Sequence, residues 1–133
     1  MTTTIEKSSP TLEQRRAKHA WESVQGVKKL DKSKAKEYAG AAKKLPMRIM
    51  AAGLGSSLAF ILAKAKDKKF SLHEHLTDWV LVKRPLKGEV PTDLLQSIIK
   101  GDSLFLRRAT DETLSYLQWL NRFAEAEGLT EGE

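Results

Sequence analysis

Apolar residues recur at three- and four-residue spacing along most of this chain, the period of an amphipathic α-helix. Thr11 and Gln14 have the spacing of a capping box beside Pro10. From there Ala17, Ala20, Trp21, Val24 and Val27 share a face up to about Lys29. The stretch "LDKSKAKEYAGAAKKLP" repeats the pattern with Ala35, Tyr38, Ala39, Ala42 and Leu45. A residue before proline is pushed out of the helical region, so the second helix should end at Leu45. Pro46 should then open a third, running to about Lys66. Ser71 and Glu74 form a second capping-box pattern before Leu72, Leu76, Trp79 and Val80. "KRPLKGEVPT" reads as a long loop. Thr92 is placed to cap a short helix with Leu94, Leu95, Ile98 and Ile99, stopped by Gly101. Asp102 or Ser103 caps the last helix, to about Glu127. Its stripe is Leu106, Ala109, Thr113, Leu117, Leu120 and Ala124, with Phe105, Glu112, Tyr116, Trp119 and Phe123 beside it.

No run alternates with period two, so strands are not expected. The pattern predicts an all-α fold, a compact single-domain bundle of about six helices over residues 11–128. Flexible tails are expected at 1–10 and 129–133, and "MTTTIEKSSP" lacks the apolar run of a secretory signal. Trp21, Trp79 and Trp119 lie on or beside apolar stripes and are expected in the core.

The glycine pair in "GLGSSLAF", Gly53 to Phe60, has the outline of a phosphate loop but not its chemistry. Leu58 stands where a dinucleotide fingerprint needs its third glycine, no strand precedes it, and no Gly-Lys-Ser/Thr closes a Walker loop. The uncharged run from Ile49 to Ala63 is fifteen residues, short of the ~18–20 that cross a bilayer. A helix apolar nearly all round is instead expected to be buried, with Gly53, Gly55, Ser56 and Ser57 letting neighbouring backbones approach.

Charge sharpens the picture. The net charge is +6, but residues 1–69 hold 16 basic and 6 acidic side chains against 7 and 11 in residues 70–133. A cationic half of this kind suits an anionic partner. With no cysteine, a disulfide framework and a thiolate site are excluded. The two imidazoles of "HEH" at 73–75 lie about 200° apart on a helix and cannot share one metal from one face. They read as surface or capping residues, and no cofactor is called for. "TDE" at 110–112 and the acidic tail read as solvated surface, so catalysis has little support.

Binding through charge is better supported. Lys32, Lys36 and Lys43 stack on one side of the second helix. Arg15, Arg16 and Lys18 cluster on the first, and Lys43, Lys44 and Arg48 flank Leu45-Pro46. Lys64, Lys66, Lys68 and Lys69 gather where the third helix should end. Cations at helical spacing can track a phosphate backbone without reading bases. With the aromatics expected on inner faces, base stacking is not indicated.

Four stretches carry a resemblance: "LEQRRAKHAWESV", "KKLPMRIMAAGLGSSLAF", "LTDWVL" and "ATDETLSYLQWLNRFAEAEGL", in that order from about Leu12 to Gly128. Gln14, Ala17, Ala20, Trp21, Leu45, Pro46, Gly53, Leu54, Leu58, Phe60, Trp119, Leu120, Arg122 and Phe123 are among its residues. They resemble the small helical subunit of the Cmr-type, type III-B CRISPR effector complex. The resemblance implies a non-catalytic, cytoplasmic subunit of a crRNA-guided antiviral RNA-silencing machine. It would stack with copies of itself against other Cmr-type subunits, with its basic surface along the guide–target duplex. RNA-backbone contact is then expected of Arg15, Arg16, Lys18, Lys43, Lys44, Arg48 and Lys64, converging from three helices. The alternative is a free-standing basic adaptor for an acidic protein, and, least favoured, a small enzyme.

Overall fold

Five helices begin at a side chain that accepts a hydrogen bond from the backbone N–H three residues on. The pairs are Thr11 with Gln14, Asp31 with Lys34, Ser71 with Glu74, Asp93 with Gln96 and Asp102 with Phe105, at 2.8–3.1 Å. Each such cap contributes roughly 1 kcal/mol. At Thr11 the box is reciprocal, since its own N–H donates to Gln14 Oε1 at 2.8 Å. Asp93, not Thr92, caps the short fifth helix, and Thr92 lies outside the described residues.

The structure, a computed structural model, describes residues 8–64, 71–86 and 93–130. The elements in order are α1 (Leu12–Lys28), α2 (Lys32–Ala52), α3 (Leu54–Lys64) and α4 (Leu72–Thr77), which runs into a π-helical turn (Asp78–Lys83). Then come α5 (Leu94–Lys100) and α6 (Ser103–Ala126). No strand occurs among the described residues, and the all-α reading holds. The expectations for both tails and for Lys66, Lys68 and Lys69 rest largely or wholly on residues outside the described set.

The expected break at Leu45-Pro46 is not there. Pro46 sits inside α2, which continues to Ala52. Proline has no N–H, so the buried Ala42 carbonyl one turn earlier lacks its helical donor. Asn121 of α6 supplies one, its Nδ2 donating to Ala42 O at 3.0 Å. A tertiary hydrogen bond thus replaces the missing helical one.

The chain turns instead at Gly53, with φ 89° and ψ 162°, a combination open essentially to glycine alone. Nothing lies within 4 Å of a Cβ built there, so backbone freedom, not close approach, explains this residue. The helix expected to be buried all round is therefore two helices. Ile49, Leu54, Ser57, Leu58 and Ile61 are buried, but Met47 and Met50 are over three-quarters exposed. Gly101 answers to a different constraint, because a Cβ there would lie 2.8 Å from the Ser97 carbonyl oxygen and 3.0 Å from the Phe105 ring.

α6 packs against α1, α2 and the π turn, and α2 also against α3. Tyr38, Leu45, Leu58, Leu76, Trp79, Tyr116, Leu117 and Leu120 lie in one shared core. The α6 stripe is buried at Ala109, Thr113, Leu117, Leu120 and Ala124 as expected, but it is wider: Phe105, Glu112 and Tyr116 beside it are buried too, while Leu106 is 39% exposed. Trp79 is in the core as expected, whereas Trp21 is 41% exposed and Trp119 half-buried. Trp21 meets Phe123 edge-on at 5.2 Å, and Phe123 meets Trp119 at 5.6 Å, an aromatic row along the α1–α6 seam.

Asn121→Ala should cost about 1–3 kcal/mol by orphaning the Ala42 carbonyl. In a Pro46→Ala background, where residue 46 regains its N–H, the same change should cost well under half of that. Urea melts of the four proteins measure the coupling; equal costs in both backgrounds would assign Asn121 some other role.

Candidate nucleic-acid interface

The seven expected contact residues divide between two places. On α1, Arg16 lies four residues before buried Ala20, so its side chain enters the α1–α6 seam. There it meets Glu112, itself only 5% exposed. Arg16 Nε and Nη2 donate to the two carboxylate oxygens at 2.6 and 2.9 Å, and Nη1 donates to Glu13 at 2.7 Å. Trp79 Nε1 and Arg84 Nε also donate to Glu112, at 2.8 and 3.2 Å. Burial pushes the Glu112 carboxyl up, but these hydrogen bonds, led by Arg16, and the Arg16 charge together hold it below the ordinary carboxylate value. The hydrogen bond that Arg16 donates to Glu112, foremost, raises the Arg16 guanidinium in turn.

Arg15 also serves the fold. Its Nη2 donates to the Lys83 carbonyl at 2.7 Å, at the end of the π turn, and its guanidinium lies 6.0 Å from the Trp79 ring centre. That turn is wide: the Arg84 N–H reaches the Trp79 carbonyl at 2.7 Å, five residues back. Lys18 is exposed on α1.

On the other side, Lys44, Arg48 and Lys64 line one groove of about 970 Å³ between α2, α3 and the start of α4. No residue of α1 lines it. Arg48 and Phe60 are half-buried. The Arg48 guanidinium lies over the Phe60 ring at 3.9 Å, and the Lys64 ammonium is 5.4 Å from the same ring centre. Among the described residues none of these three cations has an ion pair. Lys43 is exposed on α2 but does not line the groove. The structure therefore brings together three of the seven, from two helices.

Comparison with known proteins is decisive about kinship. The family model described as CRISPR-associated protein (Cas_Cmr5) matches residues 12–127. The chain belongs to the Cmr5 family. It is 33% identical over 90 residues to the CRISPR system Cmr subunit Cmr5 of Thermus thermophilus, covering 68% of this chain and 74% of the relative. It also resembles the X-ray crystal structure of a CRISPR-associated Cmr5 family protein from the same organism. That match has a TM-score of 0.70 and 31% identity, over 89% of this chain and 97% of the other.

In this Cmr5 family member the histidines are not surface residues. His73 is 5% exposed and its Nε2 accepts from the Leu95 N–H at 3.3 Å, in the first turn of α5. His75 Nδ1 and the Tyr38 hydroxyl share a hydrogen bond at 2.7 Å. The two rings of "HEH" thus serve different helices. His19 donates from Nε2 to Asp78 at 2.7 Å and, in the neutral ring, accepts at Nδ1 from the Tyr116 hydroxyl at 2.6 Å. Ser23 completes this cluster at 2.9 Å from Tyr116 and 3.4 Å from His19 Nδ1. Neither Ser23 nor His19 lines the groove. Among the described residues no group of three His, Cys, Asp or Glu could hold a metal, and no helix is long and apolar enough to cross a membrane.

Sequence reasoning missed Phe60 as a groove residue. Its signal was the spacing of Phe60 and Lys64, four apart and therefore neighbours on one helix face.

Glu112→Ala should destabilise the fold by about 3–5 kcal/mol, because Arg16 would remain buried without its main partner; thermal and urea melts measure it. Acid should act in two stages. Burial, then the His19 charge, lower His75 to about 4, while an unfolded histidine titrates near its ordinary 6.5. The unfolded chain therefore binds the proton first, and stability should fall as pH drops from about 6.5 towards 4. Glu112 adds a second loss below the ordinary carboxylate value, as pH falls through its depressed folded pKa. Melting temperature against pH should show both limbs, with the lower one flattened in Glu112→Gln.

Proposed function

We propose that this protein is a non-catalytic subunit of a crRNA-guided type III-B Cmr effector complex in antiviral defence. It acts in the cytoplasm, joins other Cmr-type subunits and copies of itself, and meets RNA through the phosphate backbone. The observation that carries membership is the family match along residues 12–127, the whole helical domain. It agrees with the name of the Thermus thermophilus relative, a Cmr subunit.

The RNA-facing surface is assigned to Lys44, Arg48 and Lys64. They are the members of the expected set that share one groove and have no ion pair among the described residues. Cations committed to carboxylates have already neutralised their field, which removes Arg16 from the contact set and leaves it to the fold. Arg15 is half committed through the Lys83 carbonyl. Lys18 and Lys43 add general positive charge from neighbouring faces. Phosphate contacts of this kind bind by releasing counterions and carry no sequence preference.

A tagged pull-down from native cells, with sequencing of bound RNA, tests membership: other Cmr-type subunits and short guide RNAs should come down together. Recovery with an unrelated acidic protein and no guide would favour a free-standing adaptor. For the surface, neutralising Lys44, Arg48 and Lys64 to Gln should weaken RNA binding equally across sequences. The slope of log affinity against log salt should fall by about 0.7–0.9 for each true contact. Lys43→Gln alone should change it by less than one contact.

A further inference from the structure

The groove holds more than a phosphate track requires. Lysines alone would serve a sugar-phosphate chain, yet here a guanidinium is laid on an aromatic ring beside Ala41 and Ile61. The Arg48 guanidinium carbon lies 3.9 Å from the Phe60 ring centre, a contact that a free surface arginine lacks. A guanidinium is planar and charged, and one held against a ring can offer its other face for stacking. Lys44 lies one turn back from Arg48 along α2 and Lys64 one turn on from Phe60 along α3, and both line the same groove. A volume of about 970 Å³ is ample for a nucleotide.

We infer that this groove takes an unpaired nucleotide, its base stacked on the Arg48–Phe60 pair and its phosphates between Lys44 and Lys64. The inference rests on the phosphate-contact reading above and adds a ligand class to it. Paired bases in an A-form helix have both faces covered by neighbours, and guanidinium planes stack on bases that have left the stack. The groove therefore distinguishes an unpaired strand from a duplex, although it reads no base identity. The acidic lining residues do not compete. Asp31 and Glu37 lie towards the N-terminal end of α2, and Glu37 is about 16 Å along the axis from Arg48.

The test measures the full chain against three probes of equal length by fluorescence anisotropy at low salt. They are a single-stranded RNA, its duplex, and an abasic sugar-phosphate chain. The single strand should bind about 5- to 150-fold more tightly than the abasic chain, the gain expected for one stacked base. Arg48→Lys keeps the charge and loses the plane; Phe60→Leu keeps the packing and loses the ring. Both should bring the single strand down towards the abasic level and cost it far more than they cost the abasic chain, with circular-dichroism melts confirming the fold. Equal binding of single strand and abasic chain by the wild type would overturn the inference and leave the phosphate reading intact. So would retention of the preference in Arg48→Lys. Failure of the wild type to bind any of the three would overturn both.

Discussion

A buried carboxylate organises this molecule. Glu112 of α6 receives two hydrogen bonds from Arg16 of α1, one from Trp79 and one from Arg84, on either side of the π turn's end. An isolated carboxylate out of water costs several kcal/mol, and the cost is offset only if charge and lone pairs are both satisfied. Meeting that requirement fixes three elements at once. Arg16 sets the register of α1 on α6, while Trp79 and Arg84 fix how the wide turn lies over the seam. Glu13 extends the network outward, accepting from Arg16 Nη1 at 2.7 Å and from Trp119 Nε1 at 2.9 Å.

The same requirement sorts the basic residues by role. Arginine offers a rigid fork of donors that can satisfy a buried acid and still reach a second partner, which suits Arg15, Arg16 and Arg84 to the seam. Lysine is a single hydrated charge on a flexible stem, and Lys18, Lys43, Lys44 and Lys64 remain exposed. Arg48 differs from these three arginines in lining the groove, with its guanidinium carbon 3.9 Å from the Phe60 ring centre. What distinguishes it is its position, on the groove side of α2.

How much of this was legible in the sequence depends on whether a constraint was local. Helix caps and inner faces were legible, because a cap binds three residues on and a stripe repeats every turn. Glu112 was misread as solvated surface within "TDE" and Arg16 as an RNA contact: each lies beside an inner stripe, and only the packing of α1 on α6 brings the one charge to the other. Pro46 was misread because the local rule was overridden from a distance, through the Asn121 side chain 75 residues later in the chain. Trp21 was misread because its large apolar ring resembles core, while the inner position of that turn belongs to Ser23, tied to Tyr116 at 2.9 Å. His73 was read as a surface or capping residue; it is buried, and it accepts from a first-turn N–H of α5, that of Leu95, 22 residues later, beyond the reach of a local rule.

The groove follows from two of those non-local choices. Because α2 does not stop at Leu45, its groove-side face continues past Lys44 to Arg48 on one continuous helix. Because the reversal comes at Gly53, Phe60 of α3 returns to the level of Arg48. Had α2 ended at Pro46 as the local rule demands, Lys44 and Arg48 would belong to different helices, with no fixed angle between them. Small residues keep the space open, since Gly40 and Ala41 form the α2 wall where larger side chains would fill it. The cations at its C-terminal end are then left facing water, with the lining acids Asp31 and Glu37 at the other end. Asp31 is further occupied in capping α2 through the Lys34 N–H at 2.9 Å. A fold that neutralises Arg16 so thoroughly in its interior leaves this end of the groove positive, with no ion pair to Lys44, Arg48 or Lys64 among the described residues.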